Sequence, residues 1–310
     1  MPAFHVTAST RIDRPIDEVR RVITDFTSWP TWSPWLLMEP SASVEYHGDA
    51  GQVDHGYRWQ GEKVGSGEMV WRELSAHKLQ ADLTFLKPFK SKADVGFNLT
   101  DHGESTEVEW LMDSALPFFM FFMVKTMKGM ITMDYSRGLA LLKDHIELGH
   151  VACGIESKGV VEGTAYSYLG LSKKVSMSEI GPSMQKTFTE VGEALAKLEQ
   201  EPNDVALSVY HKMDVVKSSV HYTAAIPVAT DVADKHGVLE AGEIQPGKAF
   251  KVVFTGPYRH LGNAWATAMS EIRHQKLKPS KRNKPYERYL NDPASTAEND
   301  LVTEILIPLS

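Results

Sequence analysis

Residues 208–228 read SVYHKMDVVKSSVHYTAAIPV, and residues 287–309 read ERYLNDPASTAENDLVTEILIPL. Both stretches place a tyrosine near their start, Tyr210 and Tyr289. Both follow it with a short aspartate-containing turn and close on an alternating apolar strand ending in Ile-Pro, at Ile226-Pro227 and Ile307-Pro308. A repeated supersecondary unit implies two pseudo-symmetric halves packed on one core. The copies differ where chemistry could sit, because Ser208 in the first is matched by Glu287 in the second. A carboxylate introduced into one half of a symmetric sheet is a candidate site.

Each copy is preceded by a strand and an amphipathic helix. In the first half a strand near 164–175 leads to a helix near 181–199, with Met184, Phe188, Val191, Leu195 and Leu198 on one face. In the second a strand near 247–255 leads to a helix near 259–274, with Leu261, Trp265, Ala268 and Ile272 inward. Residues 156–310 therefore read as a duplicated β-α-β-β domain. Glycines, Cys153 and small polar residues over 149–159 read as a linker. Upstream, residues 1–148 give a strand near 4–12, then a short helix opened by Pro15 with Asp17 and Glu18 in its first turn. A Pro-rich loop carries Trp29, Trp32 and Trp35. Strands follow near 43–46, 57–60, 67–73, 78–85, 90–100 and 105–112, and a long helix from about Pro117 to Glu147 closes an α+β domain.

Composition narrows the function classes. At 310 residues the chain has the length of two domains. A net charge of −7 argues against direct binding to nucleic acid, which calls for a basic face. A single cysteine, Cys153, cannot close an intramolecular disulfide, and no secretory signal is visible, so a cytoplasmic setting is expected. The strongest apolar run, LPFFMFFMV over 116–124, is too short to span a bilayer, which takes roughly 20 residues. It is expected to be the buried start of the long helix; the sharper alternative is a patch that touches a membrane. The 12 histidines show no metal-binding spacing. No cofactor motif is present.

The order IDRPIDEV, WPTWSPW, GSGEMVW, FLKPF and DYSRGLALLK resembles the START/polyketide-cyclase-like (SRPBCC) superfamily over nearly all of 1–148. That resemblance implies a helix-grip fold, a curved antiparallel sheet around a long C-terminal helix, with a deep apolar cavity. The repeat, together with GPYRHLGNAW, PYERYLNDP and VTEILIPL, resembles the gyrase-inhibitor-like effector-binding domain over 156–310. It implies two β-α-β-β units forming one curved sheet with a ligand cleft at the pseudo-twofold axis. In regulators of that family a buried glutamate with aromatic walls binds cationic drugs. Some stand-alone members resemble hydrolases of strained electrophiles that use a Glu-Tyr pair.

Residues two apart on a strand share a face, so Glu287 and Tyr289 point one way and Tyr286 and Arg288 the other. The resemblance carries the ligand role onto Glu287 and Tyr289, and onto Tyr258 and Trp265. Tyr210 and Tyr166 read as cleft walls or, as readily, as plain core. Arg288, where the family commonly has an apolar residue, could pair with Glu287 around the strand edge. Glu304 reads as a rim or surface residue, and Trp265, from the helix pattern alone, more readily as core. In the first domain six of the seven tryptophans gather, and Trp32, Trp35, Trp59 and Trp71 are candidate cavity walls, against a plainer reading as packing.

The expected protein binds a hydrophobic or cationic aromatic small molecule, as a sensor or sequestering module without its own DNA-binding segment. A protein partner or a homodimer would fit such a role. Two alternatives stand beside it. One is a hydrolase with Glu287 as base and Tyr289 as acid. The other is an aromatic cyclase or lipid carrier acting through the N-terminal cavity.

Overall fold

A computed structural model describes residues 3–115, 118–229 and 237–310. The chain divides into two compact units, Met1–Val151 and Ala152–Ser310. Each is α+β with one antiparallel sheet.

The first unit begins with β1 (Ala3–Ile12) and α1 (Ile16–Thr24). A 3-10 turn (Phe26–Thr31) and a short α2 (Pro34–Met38) come next. The tryptophan segment is thus two short helices and not the expected loop: Asp25 caps the first by accepting from the Thr27 N–H, and Ser33 caps the second through the Leu36 N–H. A six-stranded meander follows: β2 (Ser43–His47), β3 (Gly56–Gln60), β4 (Ser66–Leu74), β5 (Lys78–Lys87), β6 (Ser91–Asp101) and β7 (Thr106–Ala115). The sheet order is β1-β7-β6-β5-β4-β3-β2. The long helix α3 (Val124–Leu148) packs against β1 and ends at Gly149, whose φ of 75° is the left-handed conformation that terminates a helix.

The start of that helix corrects the sequence reading. The helix begins at Val124, and Phe118–Met123 form a separate 3-10 turn. Leu116 and Pro117 lie outside the described residues. Nor is the described part of the run wholly buried. Met120, Met123, Val124, Met127 and Ile131 pack on Phe4 and Val6, which leaves Phe119, Phe121 and Phe122 exposed. The flexible methionines fill the inner positions, so the rings have no room there.

Behind the sheet, the interior of this unit is a block of aromatic rings. Trp29, Trp32, Trp71, Trp110, Phe26, Phe97 and Tyr135 are all essentially inaccessible. Tyr135 of α3 stacks on Trp110 with centroids 4.2 Å apart, and Phe26 stacks on Trp71 at 5.0 Å. Gly138 lets α3 approach, since a Cβ there would lie 2.7 Å from the Trp110 ring.

The second unit contains β8 (Gly154–Gly163), β9 (Tyr166–Ser176), α4 (Ile180–Lys197), β10 (Leu207–Asp214), β11 (Ser219–Val228), β12 (Glu240–Ile244), β13 (Gly247–Thr255), α5 (Leu261–His274), β14 (Tyr286–Tyr289) and β15 (Val302–Pro308). Their order is β12-β9-β11-β10-β14-β15-β13-β8. Two strands were not anticipated. β8 occupies much of the expected linker, and β12 is a short second edge. Both are half-exposed edge strands whose glycines and charges mask the apolar alternation.

The repeat is realised as a twofold at the centre of this sheet. Ser208 and Glu287, the matched positions, lie directly opposite each other on β10 and β14. The Tyr210 N–H donates to the Pro285 carbonyl at 2.9 Å, and the Tyr289 N–H donates to the Ala206 carbonyl at 3.0 Å. One face of the sheet carries α4 and α5. Beneath α4 lie Val220, Tyr222 and Ala224; beneath α5 lie Phe250, Val252, Phe254, Ile305 and Ile307. The other face gathers Tyr168, Leu207, Val209, Ala225, Ala249, Tyr286 and Leu306.

Candidate functional site

Strand alternation puts Ser208, Tyr210, Glu287 and Tyr289 on the helix-covered face, at the twofold. Glu287 is 1% exposed, so it is not a solvated strand carboxylate. Its two oxygens are divided between donors from different elements. Trp265 of α5 donates its indole N–H to Oε1 at 2.5 Å, and the Tyr289 hydroxyl donates to Oε2 at 2.6 Å. The Tyr210 hydroxyl is a third hydrogen-bonding partner of the carboxylate. Burial pushes the Glu287 carboxyl above the usual carboxylate range, and the bonds from Tyr289, Trp265 and Tyr210 oppose that rise. Burial, followed by the neighbouring carboxylate charge, holds the Tyr210 and Tyr289 hydroxyls protonated far above their ordinary range.

Aromatic side chains enclose this carboxylate. Tyr210 meets Trp265 edge-on at 5.0 Å. Tyr289 meets Phe188 of α4 at 5.5 Å and Tyr258 at 5.7 Å, both edge-on. Tyr258 is 37% exposed and is the part of the wall nearest to solvent; burial and then the Glu287 charge push its hydroxyl up to about 12. The Tyr289 hydroxyl also lies 3.1 Å from Ser208 Oγ and 3.5 Å from Met184 Sδ. The arrangement is a desolvated carboxyl group held by aromatic hydrogen-bond donors and walled by further aromatic side chains.

Five of the sequence candidates, Glu287, Tyr289, Tyr210, Tyr258 and Trp265, thus come together. Tyr166 does not. Alternation along β9 sends it to the opposite face, where the Arg288 guanidinium lies 5.4 Å from its ring and Tyr286 is its aromatic neighbour. Arg288 does not pair with Glu287 either. It binds Glu304 at 2.7 Å and Asp204 at 3.0 Å on that opposite face. Glu304, read as a rim residue, is buried and paired with both Arg288 and Lys251. The strand pleat forces this sorting: adjacent residues on β14 cannot share a face, so the arginine is spent elsewhere and forms no ion pair with Glu287 among the described residues. Phe188, Met184 and Ser208 complete the site but read as core or as a neutral counterpart in sequence. The helix stripe that carries Phe188 and Met184 is the same signal for packing and for a site wall. Thr303 on β15 lies opposite Tyr289, fully buried, and its hydroxyl has no hydrogen-bond partner among the described residues.

Trp32 and Trp71 are sealed in the N-terminal aromatic block, whereas Trp35 and Trp59 lie at its margin. Trp71 donates to the Thr24 carbonyl, Trp59 to the Val64 carbonyl and Trp32 to Ser28 Oγ. Among the described residues no group of metal-ligating side chains could hold an ion. No helix among them is long and apolar enough to cross a membrane.

Comparison with known families matches this division. Residues 160–310 match the GyrI-like small molecule binding domain, and residues 3–147 match the polyketide cyclase / dehydrase and lipid transport family. The chain joins one domain of each family. The GyrI-like domain is a small-molecule-binding domain by family, and it holds the buried glutamate. No curated protein sequence matches the chain. Among solved structures, the chain is similar to EcmrR in its DNA complex, at 17% identity over 62% of this chain and 69% of that one, with a TM-score of 0.43. It is also similar to SAV2435 bound to tetraphenylphosphonium, at 13% identity over 50% and 94%, with a TM-score of 0.40. A third similar structure, CalU16 from Micromonospora echinospora, is 20% identical over 46% of this chain and 74% of that one, with a TM-score of 0.34.

Proposed function

We propose that the GyrI-like domain binds a lipophilic aromatic cation on Glu287, as a cytoplasmic sensor or sequestering module. The observation that carries this reading is a fully buried carboxylate whose neighbours are hydrogen-bond donors and aromatic rings, with the nearby arginine committed to the other face of the sheet. A cation with apolar substituents would supply the missing countercharge and lose little hydration on entry. The single cysteine supports the cytoplasmic setting.

The decisive experiment titrates tetraphenylphosphonium into the full chain and into Glu287→Gln by calorimetry. Removing one partner of a buried charge pair typically costs about 2–5 kcal/mol, so the variant should bind roughly 30-fold or more weakly. Unchanged affinity in a folded variant would defeat the proposal.

The hydrolase reading keeps one specific observation, the 2.6 Å bond between Tyr289 and Glu287. In that reading Glu287 activates water and Tyr289 delivers a proton to the leaving atom. Mass spectrometry with electrophilic cyclopropane substrates separates the two. A hydrated product that forms only with wild type, with turnover lowered about 10²–10⁴-fold in Glu287→Gln, would make the protein an enzyme. Substrate recovered intact leaves the binding role.

A further inference from the structure

We propose that one end of the polyketide-cyclase-like domain docks on an anionic membrane surface. Sheet register brings two apolar tips to that end. Phe85 pairs with Ser91, so residues 86–90 form the turn between β5 and β6. Ala93 pairs with Ser114, so β7 leaves the sheet at the same end and leads into the 3-10 turn Phe118–Met123. The first tip exposes Leu86 at 49% and Phe89 at 54%; the second exposes Phe119 at 73%, Phe121 at 62% and Phe122 at 69%. Large rings grouped in this way on a surface mark a site of contact. Their outward direction is fixed from beneath, where Met120, Met123, Val124, Met127 and Ile131 hold the second segment on Phe4 and Val6.

Charge identifies the occupant. Lys87, Lys90, Lys92, Lys125 and Lys128 are exposed among these rings, and none forms an ion pair among the described residues. Neither 85–92 nor 118–133 contains an aspartate or glutamate, although the chain as a whole carries −7. The adjoining turn between β3 and β4 adds one exposed carboxylate, Glu62. Apolar rings on two projecting turns, surrounded by flexible ammonium groups, suit a bilayer interface. The rings enter below the headgroups and the lysines meet the phosphates. This contact lies in the plane of one leaflet and requires no spanning helix.

The test is co-sedimentation of the full chain with vesicles of phosphatidylcholine alone and of phosphatidylcholine mixed with phosphatidylserine. Two variants accompany it, Phe119→Ser/Phe121→Ser/Phe122→Ser and Lys125→Glu/Lys128→Glu. All five positions are exposed, and near-ultraviolet circular dichroism verifies that each variant keeps its packed core. Wild type should partition onto the phosphatidylserine vesicles, and each variant should bind roughly tenfold or more weakly, with binding that declines as salt is raised. Wild type that ignores anionic vesicles, or variants that bind as well as wild type, would overturn the proposal. A wild-type dimer that the phenylalanine variant dissociates, with no vesicle binding, would also overturn it and assign the face to a second copy of the chain.

Discussion

Tryptophan is used in two ways in this molecule. In the N-terminal unit the indole N–H groups of Trp29, Trp59 and Trp71 donate to backbone carbonyls at 2.9, 3.3 and 3.1 Å. Those rings are pegs. Each fills volume and satisfies its one polar atom on a neighbouring turn or loop. In the C-terminal unit Trp265 donates instead to a buried carboxylate. That bond joins α5 to β14 and holds a carboxyl group where water cannot reach. A donor aimed at a main-chain carbonyl builds a fold, whereas a donor aimed at a buried ionisable group prepares an environment for something else. Trp110 complicates the first class, because its N–H is buried without an acceptor among the described residues.

The largest expected effect falls on a peg. Trp71→Ala should destabilise the N-terminal unit by about 3–5 kcal/mol, the range for removing a buried aromatic side chain. Denaturant titration would measure this. Cation affinity of the C-terminal domain should stay at the wild-type value, and a parallel loss of both would break the division of roles. Trp265→Phe should do the reverse. It keeps the ring beside Tyr210 but removes the bond to Oε1, which at a charged group is worth about 1.5–3 kcal/mol. Cation binding should weaken accordingly. The apparent pKa governing that binding should also rise, because a bond that favours the ionised carboxyl has gone.

A third test uses pH, without ligand. The folded state raises the Glu287 pKa, so between the unfolded and folded values the native protein binds more protons than the unfolded chain. Stability contributed by this group is therefore full below the unfolded carboxylate value and is lost as pH rises through the folded one. Glu287→Gln has no such loss. The variant should melt higher than wild type at neutral pH, with the difference closing in acid. A bound cation should cancel the advantage by stabilising the ionised form in wild type. A variant that melts lower at neutral pH and no differently in acid would mean that the donors around Glu287 outweigh its desolvation.

What could be read in the sequence follows the same line. The repeat and the strand alternation gave both halves of the C-terminal domain and the shared face of Glu287 and Tyr289. Period two is a local property, so it survives without knowledge of the fold. The partners of Arg288 were not legible, because Asp204 and Glu304 reach it only through the pairing of β14 with its neighbours. Tyr166 was misplaced because strand alternation says which residues share a face but not which face carries the helices. Phe119, Phe121 and Phe122 were misread because apolarity signals burial only on average. Their exposure depends on methionines taking the inner positions.

The smallest predicted effect sharpens the comparison between the two halves of the repeat. Ser208 faces Glu287 across the twofold, and its Oγ lies 3.1 Å from the same Tyr289 hydroxyl that donates to the carboxylate. Tyr289 has one proton to give, and Glu287 takes it. Ser208 can therefore only donate to Tyr289, and a hydroxyl that also accepts is a stronger donor in its own bond. Ser208→Ala should leave the fold intact and reduce cation affinity by about 0.5–1 kcal/mol, the net worth of one neutral hydrogen bond. A calorimetric double-mutant cycle with Tyr289→Phe would isolate the coupling. If the two losses simply add, Ser208 is a small residue that makes room beside the carboxylate. If Ser208→Ala has no effect once the Tyr289 hydroxyl is gone, the serine acts through that tyrosine, and the halves of the repeat cooperate on one charge.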